Sequence, residues 1–302
     1  MIKVATRKSK LAQIQADIVI EMITEKLDLK CEKKLYTTKG DSRLDVSLDK
    51  LGGKGLFIKE LEVALLLKEA DIAVHSMKDV PTVLEEPFEI AAIPVRDDVR
   101  DAFVSLNGEK FLKQRKWARI GTSSIRRAKQ LLYLRQDIEI VPIRGNVETR
   151  LQKIEKENLD GIVLAAAALK RLGLEKVITE YFEVEEMVPA CGQGAIAVES
   201  LKNSEIGILT KKIDNYDIRV CIEAERIVMK LLNGGCHSPV AAFARIEGDY
   251  MEIIGVNEKN GNIVKSSVEG RKEDYINLAQ RLATKLAEGS YGEGLSYWSR
   301  AL

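Results

Sequence analysis

Two segments in the middle of the chain place arginines where a strand opens into a helix. The first runs Arg119-Ile-Gly-Thr-Ser-Ser-Ile-Arg-Arg127 and the second Ile140-Val-Pro-Ile-Arg-Gly-Asn-Val-Glu-Thr-Arg150. In each, an apolar run gives way to glycine and to small hydroxyl or amide side chains, then to residues at helical spacing. The N–H groups of a helix start have no intrahelical partners and favour an anion. A guanidinium adds a planar fork that holds a carboxylate through two parallel hydrogen bonds. Arg126, Arg127, Arg144 and Arg150 together point to a ligand with several carboxylates or phosphates.

Three further segments carry reactive or charged groups. Ile72-Ala-Val-His-Ser-Met-Lys-Asp-Val-Pro81 is a strand leading into Lys78, Asp79 and a turn. Asp79 there either faces the same crevice as the arginines or caps nearby backbone N–H groups, and spacing does not choose. Lys50-Leu-Gly-Gly-Lys-Gly-Leu-Phe57 reads as a glycine-rich loop that lets backbone approach a ligand, or as a plain hinge. It is not a Walker A loop, because no Ser or Thr follows the lysine at the required spacing. Gly234-Gly-Cys-His-Ser-Pro239 holds a cysteine just past a helix end. Neighbouring residues of an extended segment point to opposite sides, so Cys236 and His237 do not read as a nucleophile and its base. The remaining cysteines, Cys31, Cys191 and Cys221, read as packing residues.

The elements that must position these groups follow from periodicity. A strand over 2–5 is followed by the polar turn Thr6–Lys10 and a helix over 11–27, where Leu11, Ile14, Ile18 and Met22 recur at helical spacing. Strands are expected near 32–38, 71–75 and 88–93, with a helix over 57–69 between two of them. Such a crossover implies a βαβ unit and a largely parallel sheet. A second α/β block has strands near 102–106, 118–121, 138–143 and 161–165, and helices from Ser124, Val147 and Ala166. The apolar stretch Ala195–Glu199 returns the chain to the first block, and two such lobes would enclose a cleft at the strand ends. After residue 215 come a helix stopped by Asn233-Gly-Gly235, three alternating segments at 239–247, 250–258 and 262–269, and a helix over 274–287. No internal sequence repeat is evident.

Composition sets the context. The chain has 302 residues with 47 basic and 46 acidic side chains, a net charge of +1 and no long block of one sign; if the central arginines act together, their charge is focused in a cleft rather than spread over the surface. That balance argues against a nucleic-acid protein. There is no apolar run of membrane-spanning length and the N-terminus does not read as a signal peptide. Four cysteines without ligand spacing, and two histidines, give no metal site and fit a reducing cytoplasm.

The ordered set of motifs resembles the porphobilinogen deaminase (hydroxymethylbilane synthase) family over nearly the whole chain. It comprises Thr6–Ala12, Gly52–Phe57, His75–Pro81, Arg100–Phe103, Gly121–Arg127, Arg144–Arg150, Leu169–Gly173, Gly192–Ala195 and Gly234–Cys236. The resemblance implies two lobes like those of type II periplasmic binding proteins, plus a C-terminal α+β domain with a three-stranded antiparallel sheet. The domains would be 1–95 with 195–213, then 96–194, then 214–302. It implies a dipyrromethane cofactor, joined through a thioether to Cys236, that serves as primer. Four porphobilinogen units are added head to tail with loss of ammonia, and hydrolysis frees the product.

On this resemblance Asp79 is the catalytic carboxylate, stabilising the cation left by ammonia. Lys78, Ser124, Arg126, Arg127 and Arg144 join Asp79 and Cys236 in holding the cofactor. Arg7, Ser9, Arg150, Arg171, Lys50, Lys54 and Phe57 belong to substrate binding, with Ser123 a further hydrogen-bond donor. A cytoplasmic monomer without nucleic-acid or membrane partners is implied. Two departures from the family pattern are His237-Ser238 after the cysteine and Cys191 in Ala190-Cys-Gly-Gln-Gly194. The competing readings are a non-catalytic anion-binding protein, which needs the arginines but neither Asp79 nor Cys236, and a family member that no longer turns over.

Overall fold

The computed structural model describes residues 1–38, 58–235 and 238–289. Lys50, Lys54, Phe57, Cys236 and His237 lie outside the described residues. In chain order the regular elements begin with β1 (Ile2–Arg7), α1 (Lys10–Leu27), β2 (Cys31–Tyr36), α2 (Lys59–Leu66), β3 (Ile72–Ser76) and β4 (Phe88–Ala92). Next come β5 (Asp101–Val104), β6 (Ala118–Gly121), α3 (Ile125–Leu134), β7 (Ile138–Val141), α4 (Val147–Lys156), β8 (Gly161–Ala165), α5 (Ala166–Arg171) and β9 (Glu180–Tyr181). The last are β10 (Ile196–Leu201), α6 (Glu205–Thr210), α7 (Tyr216–Leu231), β11 (Ala241–Glu247), β12 (Tyr250–Lys259), β13 (Asn262–Arg271) and α8 (Tyr275–Glu288).

These elements divide into two compact units. One comprises Met1–Asp98, Lys170–Gly173 and Gln193–Arg219; the other comprises Val99–Leu169, Leu174–Gly192 and Val220–Leu302. The first contains a five-stranded sheet in the order β2-β1-β3-β10-β4. Helix α1 forms because Ala12, Gln15, Ala16, Val19 and Ile23 recur on one buried face, while the Ser9 side chain accepts from the Ala12 N–H at its start. That face packs on Ile2, Val4, Ile72, Val74, Ile196 and Val198 of the sheet. On the other side, Leu61, Ala64 and Leu65 of α2 join Ala5, Ala73 and Phe88.

The second unit holds another five-stranded sheet, β7-β6-β8-β5-β9. Its middle strand β8 is buried at all five positions, as a strand covered on both faces must be. Phe103, Phe111 and Phe182 pack edge to face with centroids 5.5 to 6.5 Å apart. Such pairs add about 0.5–1.5 kcal/mol each beyond area burial.

The expected largely parallel arrangement is found, with one strand reversed in each of the two five-stranded sheets. Strands β1, β2 and β3 are parallel, but β10 runs antiparallel to β3 and β4; β6, β7 and β8 are parallel, but β5 runs antiparallel to β8 and β9. Each reversed strand pairs with partners far away in the chain, β10 with β3 and β5 with β8, which local periodicity does not detect.

The C-terminal three-stranded sheet, β11-β12-β13, is antiparallel throughout. Ala242 and Ala244 point into a core with α7 and α8, while Ala241 and Phe243 point into a second core with Val184 and Val188. Both faces are therefore covered at the sheet centre, which strict alternation in the sequence does not reveal. Lys265 of β13 is buried and donates to the Glu185 and Glu186 carbonyls at 3.2 and 2.5 Å. Burial pushes its ammonium pKa down to about 8 against the pull of Glu186 and Glu185.

Candidate functional site

The turns that carry the charged groups lie directly after strands. Arg7 ends β1 and Ser9 caps α1. After β3 a single helical turn, Met77–Asp79, carries Lys78 and Asp79, both half-buried. The Met77 N–H donates to the Ala195 carbonyl at 3.0 Å, which ties this turn to the residue preceding β10. Behind it, His75 Nε2 lies 2.8 Å from Glu199 Oε2, both side chains almost fully buried. Gln15 Nε2 donates to Ser76 Oγ at 2.9 Å. Glu62 of α2 is raised to about 7, first by burial and then by the charge of Glu199.

In the second unit, β6 passes into α3 through Thr122, Ser123 and Ser124. Ser123 Oγ donates to the Ile143 carbonyl at 2.7 Å, and Ser124 Oγ accepts from the Arg127 N–H at 3.4 Å. After β7, Asn146 Oδ1 accepts from the Thr149 N–H at 2.8 Å and caps α4 in the same way. Gly145 has φ +120°, and a Cβ there would meet Thr149 Cγ2 at 2.7 Å, so only glycine admits this tight entry. Arg144 and Arg150 flank it, half-buried, with Arg150 Nε donating to the Gly145 carbonyl at 2.8 Å.

Arg126 and Arg127 are buried, and Asp101 at the start of β5 sits between them. Arg127 Nε and Nη2 both donate to Asp101 Oδ1, at 3.0 and 2.6 Å, while its Nη1 reaches the Val163 carbonyl at 2.9 Å. Arg126 Nη2 lies 2.8 Å from Asp101 Oδ2, and its Nη1 donates to the Val188 carbonyl at 2.7 Å. Burial alone would raise the Asp101 carboxyl, but Arg126 and Arg127 overcome it and hold the pKa at about 2. Two guanidinium groups share one carboxylate, so the cluster keeps a net positive charge.

Arg171 has a different setting. Its Nε donates to Asp97 Oδ2 at 2.7 Å and its Nη2 to the Gly194 carbonyl at 2.7 Å. Gly194 has φ +84°, and a Cβ there would lie 2.4 Å from the Asp97 carbonyl oxygen. Arg171 thus fixes the 192–195 turn. Near the cysteine, Gly235 N–H donates to Ser238 Oγ at 3.0 Å, and the Ser238 N–H to the Gly235 carbonyl at 3.1 Å. Glu225 of α7, fully buried, accepts from the Gly192 N–H at 2.7 Å and the Ala244 N–H at 2.9 Å.

Sequence reasoning assigned no role to Asp101 or Glu225. Asp101 leaves a trace in the motif Arg100-Asp-Ala-Phe103, an acid opening an otherwise apolar strand. Glu225 leaves none, because one glutamate on a helix is ordinary.

Two mixed α/β sheets, a small antiparallel sheet, and capped helix starts beside a cationic cluster define an α/β protein with the groups to hold an anionic ligand. Residues 2–207 match the family described as porphobilinogen deaminase, dipyromethane cofactor binding domain, and residues 219–288 match porphobilinogen deaminase, C-terminal domain. The chain is 56% identical to a porphobilinogen deaminase of Clostridium kluyveri over 95% of its length and 99% of that protein. It is 56% identical to one from Clostridium perfringens, covering 94% of this chain and 97% of that protein. It belongs to the porphobilinogen deaminase family.

Among solved structures, a periplasmic substrate-binding protein of an ABC transporter from Coxiella burnetii is similar at a TM-score of 0.45. The identity is 11%, over 70% of this chain and 91% of that one. The donor set suits the family's dipyrromethane, a ligand with several carboxylates. Guanidinium groups outnumber the carboxylate they share, and two helix starts leave N–H groups outside their own ladders.

Proposed function

We propose that the described turns carry out the family's reaction with the groups named here. The chain joins porphobilinogen units head to tail with loss of ammonia on a dipyrromethane primer, then releases hydroxymethylbilane by hydrolysis. The observation that carries the assignment of groups is the pair of arginine-bearing helix starts: Ser124–Arg127, whose two arginines share the buried Asp101, and Arg144–Arg150.

The cofactor, when bound, supplies the pyrrole carbon from which the product grows. Cys236 holds it through a thioether, and Ser124, Arg126, Arg127, Arg144, Lys78 and Asp79 hold its polar groups. Arg7, Ser9, Arg150, Lys50 and Lys54 neutralise and orient the acetate and propionate groups of incoming substrate. Phe57 belongs to substrate binding in the same reading, and Ser123 supports its helix start. Arg171 serves substrate binding by fixing the turn at Gly194. The Asp79 carboxylate stabilises the cation that forms as ammonia leaves and assists the proton transfers that restore the aromatic ring. A glutamate in its place would displace the charge by a methylene, and positioning at that scale matters.

In the same reading the protein is a cytoplasmic monomer without nucleic-acid or membrane partners. Its domains are 1–95 with 195–213, 96–194, and 214–302. No described helix is long and apolar enough to cross a membrane.

Intact mass of the purified protein, with peptide mapping, tests the assignment. A dipyrromethane-sized addition on Cys236 is expected, with heavier species after brief exposure to porphobilinogen. A mass that stays that of the bare chain before and after exposure overturns it and favours a binding protein or an inactive relative.

A further inference from the structure

We propose that Asp101 is a positioning residue that aims Arg126 and Arg127 together at the carboxylates of the growing pyrrole chain. The proposal rests on the reading that these arginines grip carboxylates. Consecutive residues in a helix leave its axis about 100° apart, and two guanidinium groups repel one another. Unaided, Arg126 and Arg127 would point apart. Asp101, with no exposed surface, gives Oδ1 to Arg127 and Oδ2 to Arg126. The Val163 and Val188 carbonyls supply a second anchor for each fork. Two anchors fix the plane of each guanidinium, whereas one would leave it free to turn.

The arrangement also sets the charge. A buried cation without a counterion is costly, and one carboxylate for two cations leaves the cluster one positive charge to offer. Placement of Asp101 on a strand, not a loop, makes the aim rigid: its carbonyl accepts the Phe182 N–H at 2.9 Å, and it pairs with Ala165 of β8. Asp101 touches no reacting atom in this scheme. It acts through the arginines.

The test is a double-mutant cycle on the full-length enzyme carrying its cofactor, with Asp101→Asn, Arg127→Gln and both together, plus Asp101→Glu and Arg126→Gln. Each is checked by circular dichroism and assayed well below its melting temperature. The readouts are kcat and KM separately, the fraction of protein bearing the thioether-linked group, and the mass ladder of bound intermediates. Asp101→Asn is expected to lower kcat/KM by about a hundredfold, the scale of a 1 Å misplacement, and to stall the ladder early. Asp101→Glu should recover part of the loss. The double variant should fall below Arg127→Gln alone yet stay above the product of the two single effects.

A folded Asp101→Asn with wild-type kinetics and ladder overturns the proposal, as do effects that simply multiply. If Asp101→Asn does not fold, the double variant, whose cluster keeps the wild-type net charge, carries the test. Equality with Arg127→Gln alone then overturns the proposal. Unchanged kinetics in Arg126→Gln and Arg127→Gln would instead sink the reading that these arginines grip carboxylates, a separate result.

Discussion

The strand orders β2-β1-β3-β10-β4 and β7-β6-β8-β5-β9 trace one pattern, with the first three strands parallel and the fourth reversed. Strands β10 and β5 hold equivalent places, and each carries a fully buried carboxylate, Glu199 in one and Asp101 in the other. Glu199 meets a single imidazole, His75 of the neighbouring strand, and the turn four residues on presents a carboxylate, Asp79. Asp101 meets two guanidinium groups from the following helix start, and that end of the sheet presents net positive charge. One strand plan thus supports a carboxylate-bearing turn in one unit and a cationic cluster in the other. Fold supplies the places, and the residues at strand ends supply the chemistry.

The sharpest way to break this comparison is at its two ends. Asp79→Asn should lower kcat by at least about a hundredfold, the usual scale for loss of an electrostatic stabiliser, while KM and the bound cofactor persist. Steady-state kinetics with intact mass measures this; full activity would remove Asp79 from the chemistry.

Acid stability separates the buried carboxylates next. Asp101 has a folded pKa of about 2 against an ordinary 3.8, so its contribution is complete above 3.8 and is lost as pH falls through 2. The shift corresponds to about 2 kcal/mol. Denaturant unfolding between pH 5 and pH 2 should show that loss in the wild type and not in Asp101→Asn. An identical slope in both would put the acid sensitivity elsewhere.

Arg144→Leu should raise KM by about tenfold, the order expected for one charge-assisted contact, and enrich short intermediates in the mass ladder. An unchanged ladder would confine the cationic role to Arg126 and Arg127.

The smallest effect concerns Glu62, beside Glu199. Its pKa is raised from 4.5 to about 7, so the folded state binds the extra proton and stability falls as pH rises through that interval. Glu62→Gln should flatten this slope. A slope that survives assigns it to other groups.

Much of this was legible in the sequence, for physical reasons that also mark where legibility stops. Helix α1, strand β8 and the capped starts at Ser124 and Asn146 follow from local periodicity and side-chain chemistry, and they lie where expected. The return of Ala195–Glu199 to the first block was legible, but its reversed direction was not, because the pairing of His75 with Ala197 joins residues far apart in the chain. The shared counterion escaped notice for the same reason. Arg126 and Arg127 read as free forks until Asp101 is placed beside them. In the C-terminal sheet, alternation indicates one buried face, and the second face is hidden by Val184 and Val188, distant in sequence.

The place of β10 between β3 and β4 has a consequence for synthesis. The first 98 residues leave the ribosome without Ile196–Leu201, the strand that joins β3 to β4. At about 5–20 residues per second, the nascent chain waits roughly 5–20 seconds with two unpaired strand edges. Such edges invite pairing with other chains. Translation speed across residues 99 to 195, and any chaperone present during that interval, therefore bear on how much of this protein reaches its native state.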